Sequence, residues 1–260
     1  MGVVFLARRQ STEELVAIKI LLPDESGTQP NLPLFLREVS MLGQLDHPRI
    51  VSFREVGIDE GRMFLVMQYV PHLPFEEWVK KFPHKQLRLA CGAVCQALDA
   101  LDHAHCQGVV HRDVKPENLL LSSVNGRLEV RVVDFGLAKK YQDAGLSGLT
   151  DERQVRGSLG YMAPEQVRST RTAGPPADIY SAGATLYRYL SGKLPYDFLA
   201  GQHPLTTVLQ SAPIPLSQRR NDLPEQLVKI VNQALSRHPE DRFSTAEEFA
   251  NALRPFTKKA

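Results

Sequence analysis

The chain has 260 residues, 43% of them apolar and 23% charged, which is enough to bury one large core or two small lobes. Its net charge is +2, with Lys and Arg scattered apart from short pairs such as Lys139-Lys140 and Lys258-Lys259. That is far too little to drive binding to nucleic acid or an anionic membrane. No apolar run approaches about 18 residues and no signal-peptide pattern is present, so the reading expects no membrane segment and a cytoplasmic location.

Taken in chain order, residues 3–7 and 15–20 read as two strands flanking the polar Gln10-Ser11-Thr12-Glu13. Pro, Gly and Asn fill 23–33 as a loop, and 34–45 reads as a helix with Leu34, Val39, Met41, Leu42 and Leu45 on one broad face. Two further strands are expected at 50–58 and 63–70, separated by the turn Asp59-Glu60-Gly61. After Pro71 the pattern changes. Apolar residues at 87, 90, 91, 94, 98 and 101 have the helical period, and Gly108 is placed to end that helix. Cys91 and Cys95 lie on it and read as small core residues rather than half of a metal site. With Cys106 they make an odd number of thiols, which suits a reducing compartment. Short strands are expected at 109–110, 119–121 and 130–133, and a helix buried nearly all round at 178–190. Two more helices follow, over 224–235 and from Ser244-Thr-Ala-Glu247, a capping-box pattern. The expected architecture is α+β: a small strand-rich lobe at 1–70, a larger helical lobe at 71–260, and a cleft between them.

Three separated clusters carry the chemistry. They are Val-Ala-Ile-Lys ending at Lys19, His-Arg-Asp-Val-Lys-Pro-Glu-Asn over 111–118, and Val-Val-Asp-Phe-Gly over 132–136. Singly each is weak: a strand lysine usually faces solvent, and an Asp and an Asn five apart can cap a helix or satisfy a loop. Together and in this order they resemble the signature set of the protein kinases. The resemblance extends over nearly the whole chain through Gly-Ser-Leu-Gly-Tyr-Met-Ala-Pro-Glu-Gln (157–166), the helix from Asp178, and His-Pro-Glu-Asp-Arg-Phe with Arg242. It is to the serine/threonine protein kinases, particularly the bacterial eukaryotic-like kind, and it implies a bilobal kinase fold.

Transfer of a γ-phosphoryl group spreads negative charge over several oxygens, so cations and a positioned nucleophile carry most of the catalysis. The resemblance implies ATP and Mg²⁺ as cofactors and a protein Ser/Thr hydroxyl as acceptor. It assigns Lys19 to the α- and β-phosphates with Glu38 as its ion-pair partner, and Asn118 and Asp134 to Mg²⁺. Asp113 would accept the hydroxyl proton, while Lys115 neutralises the moving phosphate. Ser158, where the family more often has Thr, keeps the hydroxyl of the serine/threonine class. Adenine would lie between Val4 and Ala17 above and Leu120 below, with Met67 at the pocket edge and backbone groups of Gln68 and Val70 on the base. Arg112 would bind a phosphorylated residue of the activation segment, for which Ser147 and Thr150 are the candidate acceptors. Asp178 would reach the backbone at His111 and Arg112, and Glu165 would pair with Arg242 in the interior. A homodimer would serve autophosphorylation between copies.

Of the kinase lid Gly-x-Gly-x-x-Gly-x-Val, only Gly2-Val3-Val4 is present. Either the start lies inside a longer gene or the lid is naturally short. In both cases 3–7 should form a sheet edge, the chain should bind ATP weakly, and some ten to twenty upstream residues should restore affinity. Two other readings compete. A pseudokinase scaffold would fit the short lid but not the intact Lys19, Asp113, Asn118 and Asp134. A small-molecule phosphotransferase would lack the Ala-Pro-Glu-ended segment of residues 134–165.

Overall fold

The computed structural model describes residues 2–21, 39–135, 157–169, 173–199 and 202–258. The small lobe is one antiparallel sheet of β1 (Gly2–Arg8), β2 (Leu15–Leu21), β3 (Phe53–Asp59) and β4 (Arg62–Gln68), in the order β1-β2-β4-β3. Glu60 and Gly61, at φ 46° and 75°, form the tight turn that joins β3 to β4 with the twist a hairpin needs. Among the described residues β1 pairs on one side only, and Val3, Val4, Phe5 and Leu6 are all about half exposed. Leu21, Val39, Met63 and Leu65 close the lobe's own small core beneath the sheet.

β3 starts later than its apolar run suggests. Residues 50 and 51 leave the small sheet because Ile50 bridges Val132 in parallel and Val51 N–H bonds Val132 O at 2.9 Å. A strand period cannot distinguish pairing within one sheet from pairing with another.

The large lobe is built around α2 (Gln86–Cys106), preceded by α1 (Phe75–Lys81). α2 ends as expected: Gly108, at φ 73°, donates to His105 O, and Val109 N–H reaches back to Ala104 O. Residues 109–110, expected to form a strand, are irregular and lead directly into the loop at 111. The hairpin β5 (Leu119–Val124) and β6 (Arg127–Val132) turns at Asn125-Gly126, with φ 51° and 73°. α3 (Pro164–Arg168) and α4 (Pro175–Ser191) follow, then α5 (Pro204–Gln210), α6 (Glu225–Ala234) and α7 (Ala246–Leu253).

α4 is buried on all sides, and its polar groups are satisfied locally: Ser181 Oγ donates to Ala177 O and Thr185 Oγ1 to Ser181 O. It also touches α6 almost backbone to backbone, since a Cβ on Gly183 would lie 2.8 Å from Ala234 Cβ. α7 is capped by Thr245, whose hydroxyl accepts from Glu248 N, while Glu248 Oε2 accepts from Ser244 N. The capping pattern therefore sits one residue later than Ser244/Glu247, because two serine/threonine and two glutamate residues adjoin and either register satisfies the motif.

Cys91 and Cys95 are buried in α2, and burial pushes both thiols up, that of Cys95 to about 12. Neither supplies thiolate near neutrality. A thiol reagent at pH 8 should titrate exposed Cys106 alone in the folded chain and all three cysteines after unfolding. Fast native reaction at Cys91 or Cys95 would contradict this packing.

Candidate active site

β2 delivers Lys19 to the floor of the cleft, registered between Val4 and Leu65. The lysine is only 7% exposed, and a buried ammonium needs an anion. It has one: Lys19 Nζ lies 2.7 Å from Asp134 Oδ2. Gly2 makes room for this arrangement, since a Cβ there would fall 2.5 Å from Ile20 O and 3.3 Å from Lys19 Cε.

Asp134 follows β6 by two residues and holds φ at +63°, a left-handed backbone unusual outside glycine. Its predecessor is fastened twice. Val133 N–H bonds Asn118 O at 3.0 Å, and Val133 O accepts from His111 Nε2 at 3.0 Å. Asn118 ends a 3₁₀ turn over Pro116–Asn118, and its amide Nδ2 donates to Asp113 O at 2.7 Å and Asp113 Oδ2 at 3.1 Å. Lys115 Nζ contacts the same Oδ2 at 2.9 Å. Asp113, Lys115 and Asn118 therefore form one cluster, and Asn118 joins it to the strand end carrying the Lys19–Asp134 pair.

His111 sits at the centre of this construction, fully buried and in ring contact with Phe135. Its Nδ1 accepts from Asp113 N at 3.1 Å while Nε2–H donates to Val133 O, a pairing that requires the neutral ring. Burial holds its pKa below the ordinary value near 6.5, against the opposing pull of Asp178, Asp113 and Asp134. The unfolded chain thus takes up this proton first as the pH falls. The stability is present above about pH 6.5 and declines below it. Melting temperature should drop between pH 7.5 and 5.5, and His111→Phe should flatten that slope even while lowering the plateau. An unchanged slope in the variant would show that other groups, such as His47, govern it.

Asp178, at the start of α4, is fully buried and accepts from His111 N at 2.8 Å and Arg112 N at 2.7 Å. Arg112 is held there with φ at +63°. His105 Nε2, from the last turn of α2, donates to the same carboxylate at 2.8 Å. Sequence reading missed His105; the available signal was a histidine in the last turn of an otherwise apolar helix, shortly before the His-Arg-Asp loop. Arg112 Nε donates to Ala173 O at 3.2 Å, which ties the loop to the segment entering α4. Arg242 meets Glu165 through two bonds of 2.6 and 2.9 Å.

The residues expected to hold adenine lie along the cleft edge of the sheet and beyond it. Ala17 pairs with Met67 and Val16 with Gln68, while Leu120 pairs with Arg131 in the large lobe. Gln68 N–H is taken by Ser52 O and the Val70 carbonyl by His72 Nδ1, so these two atoms are committed elsewhere. Met67 lines an apolar recess with Leu65, Val133, Asp134 and Phe135. Val4 is 56% exposed on β1. Ser158 lies in a helical turn at 157–159, where its carbonyl accepts from Tyr161 N–H. Glu38, Ser147 and Thr150 fall outside the described residues.

A strand lysine paired to an aspartate across a cleft, above a loop presenting Asp, Lys and Asn, is the layout of a two-lobed phosphotransferase. The chain belongs to the protein kinase domain family, which matches residues 1–253. Serine/threonine-protein kinase PknJ of Mycobacterium tuberculosis is 35% identical over 255 residues, covering 97% of this chain and 42% of that protein. Serine/threonine-protein kinase PrkC of Bacillus subtilis is 32% identical over 251 residues, covering 95% of this chain and 37% of that protein. The chain thus spans about two fifths of the length of these relatives. Among solved structures, the kinase domain of Mycobacterium tuberculosis PknI superposes with a TM-score of 0.71 at 26% identity, covering 98% of this chain and 91% of that one.

Proposed function

We propose that this chain is the catalytic domain of a serine/threonine protein kinase, moving the γ-phosphoryl group of ATP to hydroxyls on proteins. One observation carries the reading: Asp113 Oδ2 is held between Lys115 Nζ and Asn118 Nδ2, in a loop fastened to the strand end that bears Asp134. Asp113 orients the acceptor hydroxyl and takes its proton as the new P–O bond forms. Lys115 stays beside it and offsets the charge that reaches the acceptor. Lys19 turns its ammonium to the α- and β-phosphates with Glu38 as second anchor. Residues 1–70 and 71–260 act as the two lobes of one catalytic unit.

The donor chemistry fits Mg²⁺. Asn118 spends its Nδ2 on Asp113, so its amide oxygen is the ligand atom, and Asp134 adds a carboxylate. Mg²⁺ is ordinarily held through one or two protein oxygens with substrate phosphates and water, and Asn118 and Asp134 would supply the protein's share. Held by Asn118 and Asp134, the ion would supply positive charge that offsets the charge of the phosphates. The adenine contacts run through Val4, Ala17, Met67 and Leu120, with the Gln68 carbonyl and Val70 N–H on the base edge. Ser158 belongs to the activation segment, and Arg112 binds the activating phosphate that Ser147 or Thr150 takes from a second copy.

Cys106 is exposed and free, which supports a reducing, cytoplasmic setting, and no described helix is long and apolar enough to cross a membrane. Incubation with Mg-[γ-³²P]ATP and a generic protein acceptor tests the proposal. Label recovered as phosphoserine or phosphothreonine is the expected result. Nucleotide binding with no transfer to protein would overturn it.

A further inference from the structure

β6 has β5 on one side, and its other edge is completed by groups from elsewhere in the chain. Val132 gives its N–H to Arg49 O at 2.8 Å and its carbonyl accepts from Val51 N–H at 2.9 Å, so the segment leading into β3 covers that end. Earlier in the strand, Leu128 O and Val130 N–H face α2, which has no free backbone to offer. Gln96 fills this gap. Its Nε2 donates to Leu128 O at 3.1 Å, and its Oε1 accepts from Val130 N at 2.9 Å. A carboxamide presents the same donor and acceptor as a peptide unit, so one side chain stands in for a residue of a missing third strand. The same Oε1 accepts from Arg49 Nη1, and Arg49 Nε lies 3.7 Å from Asp99, one turn further along α2.

We propose that Gln96 is a positioning residue for Asp134, coupling α2 and the small-lobe segment at Arg49 to the strand that presents the aspartate. The positive φ at Asp134 persists only where its surroundings over-determine it. Val133 is held on one side by Asn118 and His111, and β6 behind it is held by Gln96 and residues 49–51. Gln96 touches none of the groups assigned to the reaction, yet it fixes the strand from which Val133 and Asp134 continue. Val130 is 1% exposed, so removal of the amide leaves a buried N–H without its partner. The leucine variant keeps the bulk and removes both bonds.

The test compares Gln96→Leu with Val231→Ala, a core truncation in α6 that lowers stability without touching β6, both in the 260-residue chain. Amide hydrogen exchange is read at Val132 and Val133, matched for distance below the melting temperature. Gln96→Leu is expected to speed exchange there by about tenfold over Val231→Ala. It should also raise several-fold the Mg²⁺ concentration that gives half-maximal rate, with the KM for the protein acceptor unchanged. Exchange at Val132 and Val133 no faster than in Val231→Ala would overturn the proposal. Gln96→Glu keeps the acceptor for Val130 and Arg49 but replaces the donor to Leu128 with a charged oxygen, so it serves if the leucine variant does not fold; faster exchange at Val132 and Val133 than in Val231→Ala supports the proposal and none overturns it. The rate measurement rests on the kinase reading, whereas the exchange measurement does not. An inactive parent chain would refute that reading and leave the inference about Gln96 to be decided by exchange.

Discussion

Asp113→Asn is expected to lower kcat by about 10²–10⁴, leaving ATP affinity within about twofold and the melting temperature nearly unchanged. The amide has the volume of the carboxylate, and its oxygen can still receive Lys115 Nζ and Asn118 Nδ2. What it lacks is basicity. The loss therefore belongs to the proton-accepting role and appears in kcat rather than in KM for ATP. Steady-state transfer of ³²P, with nucleotide affinity measured separately by calorimetry, distinguishes the two. A variant within tenfold of the parent rate would remove Asp113 from its assigned role.

Arg242→Ala is expected to be the most damaging single change to stability outside the apolar core, by about 3–5 kcal/mol. The Arg242 side chain is wholly buried, with Nη1 and Nη2 on Glu165 and further bonds to the carbonyls of Pro176, Ser236 and Arg237 at 2.8 to 3.1 Å. Truncation strands a carboxylate and those three acceptors together. For a chain of this size the melting temperature should fall by roughly 10 °C. Glu165→Gln should cost less, about 1–2 kcal/mol, because Glu165 is 26% exposed and water can serve the vacated positions. Thermal melts of both variants decide the point. Equal losses would mean that the ion pair itself, rather than the group of carbonyls around Arg242, supplies the stability.

The parts of the fold carried by local signals were legible in the sequence. α2 had a clean helical period and a glycine stop, β1 and β2 a polar turn between apolar runs, and α4 enough apolar residues to mark it as interior. α1 and α5 were not legible, each being too short for a period to stand out, and both are held by packing on their neighbours. The late start of β3 depends on Val132, distant in sequence, and nothing near Ile50 announces it. The site divides in the same way. Lys19, Asp113, Lys115, Asn118 and Asp134 stand in contiguous motifs that could be read directly, and the structure links them through the Lys19–Asp134 pair and the Asp113 cluster. His105 acts through one hydrogen bond to Asp178, and Gln96 through its bonds to Leu128, Val130 and Arg49, all far along the chain, and such residues look like ordinary polar positions on a helix until the contacts are seen.

The close approach of Gly183 to Ala234 has a mechanical consequence. With only the methyl of Ala234 and the edge of Leu235 against Gly183, α4 and α6 are packed so closely there that shear between them is restricted. Gln68 is pinned to Ser52 on the small-lobe side, and Leu73 to Leu121 on the other. Because residues 49–51 are bonded to Val132 in the large lobe as well, any rocking of one lobe against the other bends the chain at two places, between Val51 and Ser52 and over residues 69–72, and the torsions there set how wide the mouth can open.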